Sequence, residues 1–200
     1  EFKAKLTDTF ANLYLLSMHS HGFLTLHHDP IGREGTASIL TGVTFTDFSD
    51  EVSPVTHPVF EFLAQRSSTP ISAISEPAPQ GAELEELLKV AARVPDHGRL
   101  TPWRFILYRG DVRHKVGEYL AKRAEEREGP LNESRKDQEK ARFARAPLVI
   151  GVVSSPVDHE RIPEWEQFLS AGAVAMNLCT AANALGYATN WITNWYSDDA

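Results

Sequence analysis

The chain has 200 residues, of which 42% are hydrophobic and 24% are charged, and its formal net charge is -7. This length suits one domain with a real core, and the composition excludes collagenous, mucin-like and wholly disordered chains. An acidic chain without a long basic stripe is a poor candidate for binding nucleic acid or anionic membranes.

Cysteine content and hydropathy bear on the compartment. Cys179 is the only cysteine, so no intrachain disulfide forms and nothing indicates an oxidising compartment. The most apolar stretch, Phe168 to Leu185, carries too many polar side chains for a bilayer span. No basic segment followed by an apolar core appears at the start, so we do not expect secretion. We therefore expect a cytoplasmic protein with neither a membrane nor a nucleic acid as its partner.

Residues 1–55 differ in character from the rest, and we treat them as an N-terminal extension of unknown role. Within them, Phe2 to Leu16 has apolar side chains at roughly helical spacing. Four histidines are clustered there: His19, His21, His27 and His28. Their spacing matches no known zinc geometry and no cysteine accompanies them, so we predict no metal site.

From residue 56 onward, apolar periodicity predicts regular elements. His57 to Gln65 is predicted as a short helix with Val59, Phe60, Leu63 and Ala64 directed inward, and Glu83 to Val94 as a helix with its leucines on one face. The prolines between these helices predict an extended or turning connection. Pro95 to Gly98 then ends the second helix and begins a loop.

The second half of the chain alternates helices with strands. Strands are predicted at Arg104–Tyr108, Leu148–Ser154 and Tyr187–Thr193. Helices are predicted at Asp111–Glu126, Asn132–Ala144 and Pro163–Leu185, the last capped by Gly186. This alternation with long connections predicts an α+β or α/β sheet with helices packed on it.

Two segments offer charged groups to a ligand. Gln65-Arg66-Ser67-Ser68 places an arginine beside hydroxyls, which suits a phosphate, although a solvated helix C-terminus explains this segment better when it is taken alone. The loop with Arg93, His97 and Trp103 could line a pocket for a flat, charged ligand. A polar loop with a packing tryptophan explains the same residues equally well.

Two further segments suit a planar ring. Ser170 to Asn177 is rich in small residues that let a ring approach, although a helix packed in its own core or in a dimer explains them better. Asn190 to Thr193 ends a predicted strand, either beside a crevice or as an ordinary hydrophobic strand. No Ser-His-Asp or Cys-His arrangement is predicted, because Cys179 lies on an apolar helix face.

In their order along the chain, these segments resemble the nitroreductase family, particularly its minimal, YdjA-like members. The matching pieces are Gln65-Arg66-Ser67, Glu76–Pro79, Arg93–His97, Thr101–Phe105, Arg145–Ile150, Pro163–Gln167, Ser170–Gly172, and Gly186-Tyr187 with Trp191. The resemblance implies an α+β fold, with a central, mostly antiparallel sheet flanked by helices. It assigns residues 56–200 to an FMN-binding domain, and implies that the family's closing strand and C-terminal arm are absent after Ala200.

The resemblance also implies a homodimer with FMN at the subunit interface and an NAD(P)H-dependent flavin oxidoreductase activity. NADH or NADPH gives hydride to the flavin and leaves, and a nitroaromatic or quinone-like acceptor takes its place. Because the flavin carries the hydride, the protein supplies orientation and electrostatics, and we name no certain catalytic residue. His97 as a proton donor is a hypothesis. A non-catalytic flavin-binding dimer and a different flavin reaction on the same scaffold are the alternatives.

By position, the resemblance assigns FMN binding to Gln65, Arg66, Ser67, Arg93, His97, Trp191, Ile192 and Thr193. It assigns the nicotinamide cofactor to Arg93, Ala181, Ala182, Asn183, Ala184, Leu185 and Gly186. The sequence departs from the family pattern at four positions: Gln65, Pro70 and Ile192 stand where arginine is common, and Thr101 stands where glutamine is common. Each departure removes a polar contact that the flavin would otherwise receive.

Overall fold

A computed structural model of the chain describes residues 57–197 and residue 199. These residues form α1 (Pro58–Gln65), α2 (Gly81–Ala91), β1 (Trp103–Arg109), α3 (Asp111–Glu128), α4 (Glu133–Ala141), β2 (Leu148–Ser154) and α5 (Glu164–Ala184). Short 3-10 turns occur at Ile71–Ala73, His97–Arg99 and Trp195–Ser197. The predicted helix from Phe2 to Leu16 and the clustered histidines lie outside the described residues.

Helix α1 ends at Gln65, as predicted, but its apolar side chains are not directed inward. Val59, Phe60 and Leu63 are 58%, 55% and 50% exposed, and Ala64 is exposed as well. Helical periodicity shows which side chains share a face, but not whether another surface covers that face. Gln65 closes one compact unit of the chain and Arg66 opens the described part of the other.

The two strands pair antiparallel, with Trp103 opposite Ser154 and Arg109 opposite Leu148. Side chains alternate between the two faces of a strand, so Trp103 and Tyr108 lie on opposite faces. Helices α2 and α5 pack on the face of Trp103, and α3 with the end of α4 packs on the face of Tyr108. The chain is therefore α+β, with an antiparallel sheet between helices, as predicted.

Each face of the sheet has its own apolar core. On the first face, α2 contributes Leu84 and Leu87, each 2% exposed, against Val174 and Leu178 of α5. Burying such a leucine is worth about 1.5–3 kcal/mol. On the second face, the buried side chains are Tyr108, Val116, Leu120, Phe143, Val153 and Tyr196.

Helix boundaries follow local capping. Helix α4 begins one residue later than predicted because Asn132 is its N-cap, and the Asn132 side chain accepts a hydrogen bond from the Arg135 N–H at 2.9 Å. Helix α2 spans Gly81–Ala91 rather than Glu83–Val94. Helix α5 is followed by Gly186 at φ 87°, the left-handed conformation that glycine favours after a helix.

The predicted strand Tyr187–Thr193 is not formed. Its backbone is instead engaged by a neighbouring segment: the Thr69 N–H donates to the Thr189 carbonyl at 2.8 Å, and the Asn190 side chain donates to the Thr69 carbonyl at 2.7 Å. Among the described residues no further strand lies beside it. The prediction was wrong because a strand requires a partner, which apolar content does not supply.

Candidate functional site

The loop between α2 and β1 is braced by a side chain of its own, that of Asp96. The Asp96 carboxylate accepts hydrogen bonds from the Leu100 N–H at 3.1 Å and the Thr101 N–H at 2.9 Å. At Gly98, φ is 71°, a backbone conformation that favours glycine, and an added Cβ would lie 2.5 Å from the end of the Ile162 side chain. Thr101 also has a positive φ, 49°. Such left-handed non-glycine residues often occur at functional sites.

Helix α5 fixes this loop from outside. The Glu166 carboxylate lies 2.8 Å from Nδ1 of His97, and the Ser170 hydroxyl donates to the Pro95 carbonyl at 2.9 Å. Glu166 and Ser170 are four residues apart and therefore share one side of the helix. His97 itself is exposed. The loop thus presents the imidazole on a surface that α5 supports.

Asn177 lies on the same side of α5 and contacts the end of α2. Its side-chain amide donates to the Val90 carbonyl at 2.7 Å and reaches the carbonyls of Ala91 and Arg93 at 3.4 and 3.5 Å. The last carbonyls of a helix have no partner within it, so this amide satisfies them. Arg93 is thereby fixed by its backbone, while its side chain is exposed.

A second group of predicted residues lies around Cys179. Thr189 hydrogen bonds to the Cys179 thiol, and the charge of Arg66 acts on it. Burial nevertheless raises the pKa of this thiol above its usual value, and outweighs both effects. The cysteine is therefore a poor nucleophile at neutral pH. The bonds between Thr69 and residues 189–190 bring the Arg66-Ser67 turn beside the segment that contains Trp191.

A cavity of about 190 Å³ lies next to this second group. Its walls are mainly apolar and include Pro77, Leu148, Leu178, Ala182, Trp191 and Ile192. Nε1 of Trp191 is buried and has no hydrogen-bond partner among the described residues. A buried donor without a partner is costly, so a bound acceptor here would be favoured. The cavity is smaller than the roughly 300–1,000 Å³ of drug-sized ligand sites.

The predicted nicotinamide segment is at the C-terminal end of α5. Ala182 is 5% exposed and lines the cavity, whereas Leu185 is 51% exposed. The Asn183 side chain donates to the Tyr187 carbonyl at 2.7 Å and so closes the end of the helix. Ala181 and Ala184 make no polar side-chain contact, as expected for alanine. Asn183 and Gly186 therefore have structural roles within the chain.

The predicted flavin residues form two groups that one chain does not bring together. Glu166, beside His97, and Cys179, beside Thr189, are thirteen residues apart in α5, about 20 Å at 1.5 Å per residue. Asn177 and Cys179 are two residues apart, so their side chains leave the helix on nearly opposite sides, about 200° apart. Gln65 is the last residue of α1 and of the other compact unit.

Sequence reasoning missed the contact between Glu166 and His97, because it placed Glu166 only within a family motif. The available signal was the helical spacing of Glu166, Ser170 and Asn177, which puts these three polar side chains on one face of α5. Within residues 57–197, no group of three or more histidine, cysteine, aspartate or glutamate side chains is arranged to hold a metal ion. No helix in that range has the length and apolar character that crossing a bilayer requires.

Comparison with known proteins gives consistent matches. A family model described as "Nitroreductase family" matches residues 65–199. "Putative NAD(P)H nitroreductase YdjA" of Escherichia coli K12 is 36% identical over 135 residues, which cover 66% of this chain and 69% of the relative. "Putative NAD(P)H nitroreductase" of Haemophilus influenzae is 36% identical over 130 residues, covering 64% and 69%. The solved structure of a nitroreductase-like family protein from Bacillus cereus is 23% identical and similar in fold, with a TM-score of 0.59 over 74% of this chain and 76% of the other.

Proposed function

The chain belongs to the nitroreductase family, and from that premise we propose that it is an FMN-dependent oxidoreductase that passes hydride from NADH or NADPH to a nitroaromatic or quinone-like acceptor. The names of its relatives support the use of NAD(P)H. The observation that carries the flavin site is the pairing of Thr69, close to Arg66 and Ser67 in the chain, with Thr189 and Asn190. This pairing lies beside Trp191, whose Nε1 has no hydrogen-bond partner among the described residues.

The side chains of this second group suit FMN. Arg66 offers a guanidinium to the phosphate, and a charge-assisted pair of this kind is worth about 1.5–3 kcal/mol. Trp191 offers a buried donor for a polar edge of the ring, and the apolar cavity walls suit its flat body. When bound, FMN supplies the hydride chemistry that no side chain of this chain can perform.

The separation of the two groups supports a homodimer with the flavin at its interface. Arg93 and His97 join Arg66 and Trp191 in one site if the loop of one subunit faces the cavity of the other. Helix α5 also presents an exposed apolar stripe, in which Trp165, Leu169 and Met176 are 60%, 66% and 40% exposed. A stripe at this helical spacing is typical of a surface that is covered by a partner.

The two substrates would use one site in turn, as in a ping-pong reaction. Reduction of a quinone consumes one hydride and one proton and yields a hydroquinone. The hydride originates from the nicotinamide, and His97 supplies the proton because its imidazole is exposed on a supported loop. Arg93, which is exposed on the same loop, suits an anionic group of the cofactor or of the nicotinamide.

The visible absorption spectrum of the purified chain tests this function. We expect flavin bands that bleach when NADPH or NADH is added without oxygen and that return when a nitroaromatic or a quinone is added. A folded protein that ignores added FMN would contradict the flavin site. Bound flavin that neither nicotinamide reduces would favour a non-catalytic flavin-binding dimer, for which the departures at Gln65, Pro70 and Ile192 are the specific support.

A further inference from the structure

We propose that Glu166 is a positioning residue that fixes the ring orientation and the tautomer of His97 for proton delivery to the acceptor. This inference rests on the proposed oxidoreductase function. The Glu166 carboxylate lies 2.8 Å from Nδ1 of His97, and the two residues are 69 positions apart in the chain. Glu166 is in the first turn of α5, whereas His97 is in the loop after α2.

The carboxylate is the fixed member of this pair. The Glu166 side chain is 29% exposed and that of His97 is 60% exposed. The next residue, Gln167, is 2% exposed, and its amide accepts from the Val157 N–H at 2.9 Å and donates to the Val157 carbonyl at 2.8 Å. These two hydrogen bonds anchor the start of α5. Glu166 therefore orients the imidazole from an anchored helix.

The hydrogen bond determines which ring nitrogen can serve the acceptor. An ionised carboxylate only accepts hydrogen bonds, so Nδ1 of His97 must carry a hydrogen. Nε2 is then the atom at the open end of the ring. The charged ring gives its Nε2 proton to the acceptor, which has received a hydride through the flavin. The neutral ring that remains keeps the hydrogen on Nδ1 and still donates it to Glu166. Its Nε2 then regains a proton from water.

Glu166 is not needed to hold the loop itself. Asp96 accepts two backbone N–H bonds within the loop, Ser170 donates to the loop carbonyl of Pro95, and Asn177 reaches that of Arg93. Gly98 packs against Ile162 independently of the ion pair. Removing the carboxylate should therefore free the imidazole while leaving the loop backbone and the flavin contacts of Arg66, Trp191 and Arg93 in place. This separates a positioning role from a merely structural one.

The test uses flavin-loaded wild-type protein, Glu166→Gln, His97→Asn and the double variant. A glutamine can accept from Nδ1 or donate to it, so it no longer fixes the tautomer. We expect Glu166→Gln to slow flavin reoxidation by a quinone roughly 10–100-fold, with unchanged flavin content and unchanged bleaching by the nicotinamide. In the His97→Asn background the same change should have no further effect. Glu164→Gln is the matched control, because it removes the same charge from an exposed position in the same turn.

Nitrogen-15 spectra of the imidazole give a second readout that does not depend on turnover. They should show hydrogen on Nδ1 in the neutral ring of wild-type protein and a mixture of tautomers in Glu166→Gln. Four outcomes would each overturn the positioning role. The spectra could be unchanged, or the effects of the two substitutions could be additive. Glu164→Gln could slow reoxidation equally, or Glu166→Gln could lose flavin together with both half-reactions. Failure of the nicotinamide to bleach the wild-type flavin would instead refute the proposed function, and the spectra would still decide the tautomer.

Discussion

At the residue scale, Glu139 of α4 is a charged side chain that is completely removed from solvent, at 0% exposure. Its carboxylate accepts hydrogen bonds from Arg135, from Arg142, and from Trp195 Nε1 at 3.2 Å. A buried charge is tolerated only when it is paired in this way. Trp195 follows the Trp191 segment, so Glu139 connects α4 to the chain that leaves the proposed flavin site.

We predict that Glu139→Gln lowers the free energy of unfolding by about 3–5 kcal/mol at pH 7, because it leaves two arginines without their buried partner. Burial by itself would raise the pKa of Glu139, but the hydrogen bonds from Arg142 and Arg135 lower it below its usual value. Stability from this carboxylate is therefore present above the ordinary glutamate pKa of about 4.3 and is lost as the pH falls through the lowered value.

Urea unfolding between pH 7 and pH 3 measures both effects. The wild-type protein should lose stability on acidification more steeply than Glu139→Gln. Glu133→Gln is the control in the same helix, since Glu133 is 84% exposed and its replacement should change stability by no more than about 0.5 kcal/mol. Equal losses of unfolding free energy in Glu139→Gln and Glu133→Gln would show that the buried Glu139 cluster does not stabilise the fold.

Tyr108 shows the opposite situation, a buried polar atom without a partner. The side chain is 3% exposed, packs edge-to-face on Phe143 at 5.0 Å between ring centroids, and its hydroxyl has no hydrogen-bond partner among the described residues. We predict that Tyr108→Phe leaves stability unchanged or raises it by about 1 kcal/mol, because a desolvated hydroxyl is removed.

The alkaline stability of the two proteins should differ as well. Burial raises the pKa of Tyr108 to about 12, against a small opposing effect of Arg104. The unfolded chain loses this proton near pH 10, so the wild-type free energy of unfolding falls as the pH rises from about 10 to about 12. Tyr108→Phe should show a shallower decline in urea unfolding over that range. A destabilised variant with an unchanged slope would mean that the hydroxyl has a partner.

At the element scale, the sequence predicted those elements whose ends carry local signals. The bounds of β2 agree with the prediction, Leu148–Ser154, and α5 lies between Pro163 and Gly186, which mark a helix start and a helix end. The wrong predictions concern which other parts of the chain contact an element. The faces of α1 and the segment Tyr187–Thr193 were predicted from apolar content alone, whereas their burial and pairing depend on surfaces that periodicity does not specify.

The contact between α3 and α4 depends on a glycine. A Cβ at Gly117 would overlap the backbone carbonyl of Lys140, which cannot move without shifting α4. We predict that Gly117→Ala destabilises the protein by about 1–3 kcal/mol through overpacking. Lys115→Ala is the control in the same helix, because Lys115 is exposed and its replacement should change stability by no more than about 0.5 kcal/mol. Thermal and urea unfolding compare the two, and a stabilising Gly117→Ala would show that the helices separate easily.

At the scale of the whole molecule, the family resemblance predicts which segments form the site but not how they are arranged. Thr69 and Asn190 meet across 121 positions of sequence, and Glu166 meets His97 across 69. No local pattern encodes such pairs, because they form only when α5 and the sheet pack. The division of the predicted flavin residues into two groups on different sides of α5 likewise follows from the packed helix and not from the order of the motifs.

That division makes the proposed dimer testable through the exposed stripe on α5. We predict that Leu169→Glu separates the subunits, because each copy of a two-fold interface would lose a buried leucine worth about 1.5–3 kcal/mol. The sum of the two losses corresponds to a subunit dissociation constant about 10²–10⁴-fold weaker. Analytical ultracentrifugation over a range of concentrations measures it. Flavin should be lost with the dimer, since neither subunit alone brings the two groups together.

The control makes the same chemical change away from the stripe. Val112 is 38% exposed in the first turn of α3, so Val112→Glu introduces the same charge where a helix N-terminus tolerates it. It should leave both the dimer and the flavin content unchanged. If Leu169→Glu becomes monomeric but keeps its flavin, one chain is sufficient for binding, and Arg93 and His97 do not complete a partner's site. If both variants stay dimeric, the interface lies elsewhere and the stripe on α5 has another partner.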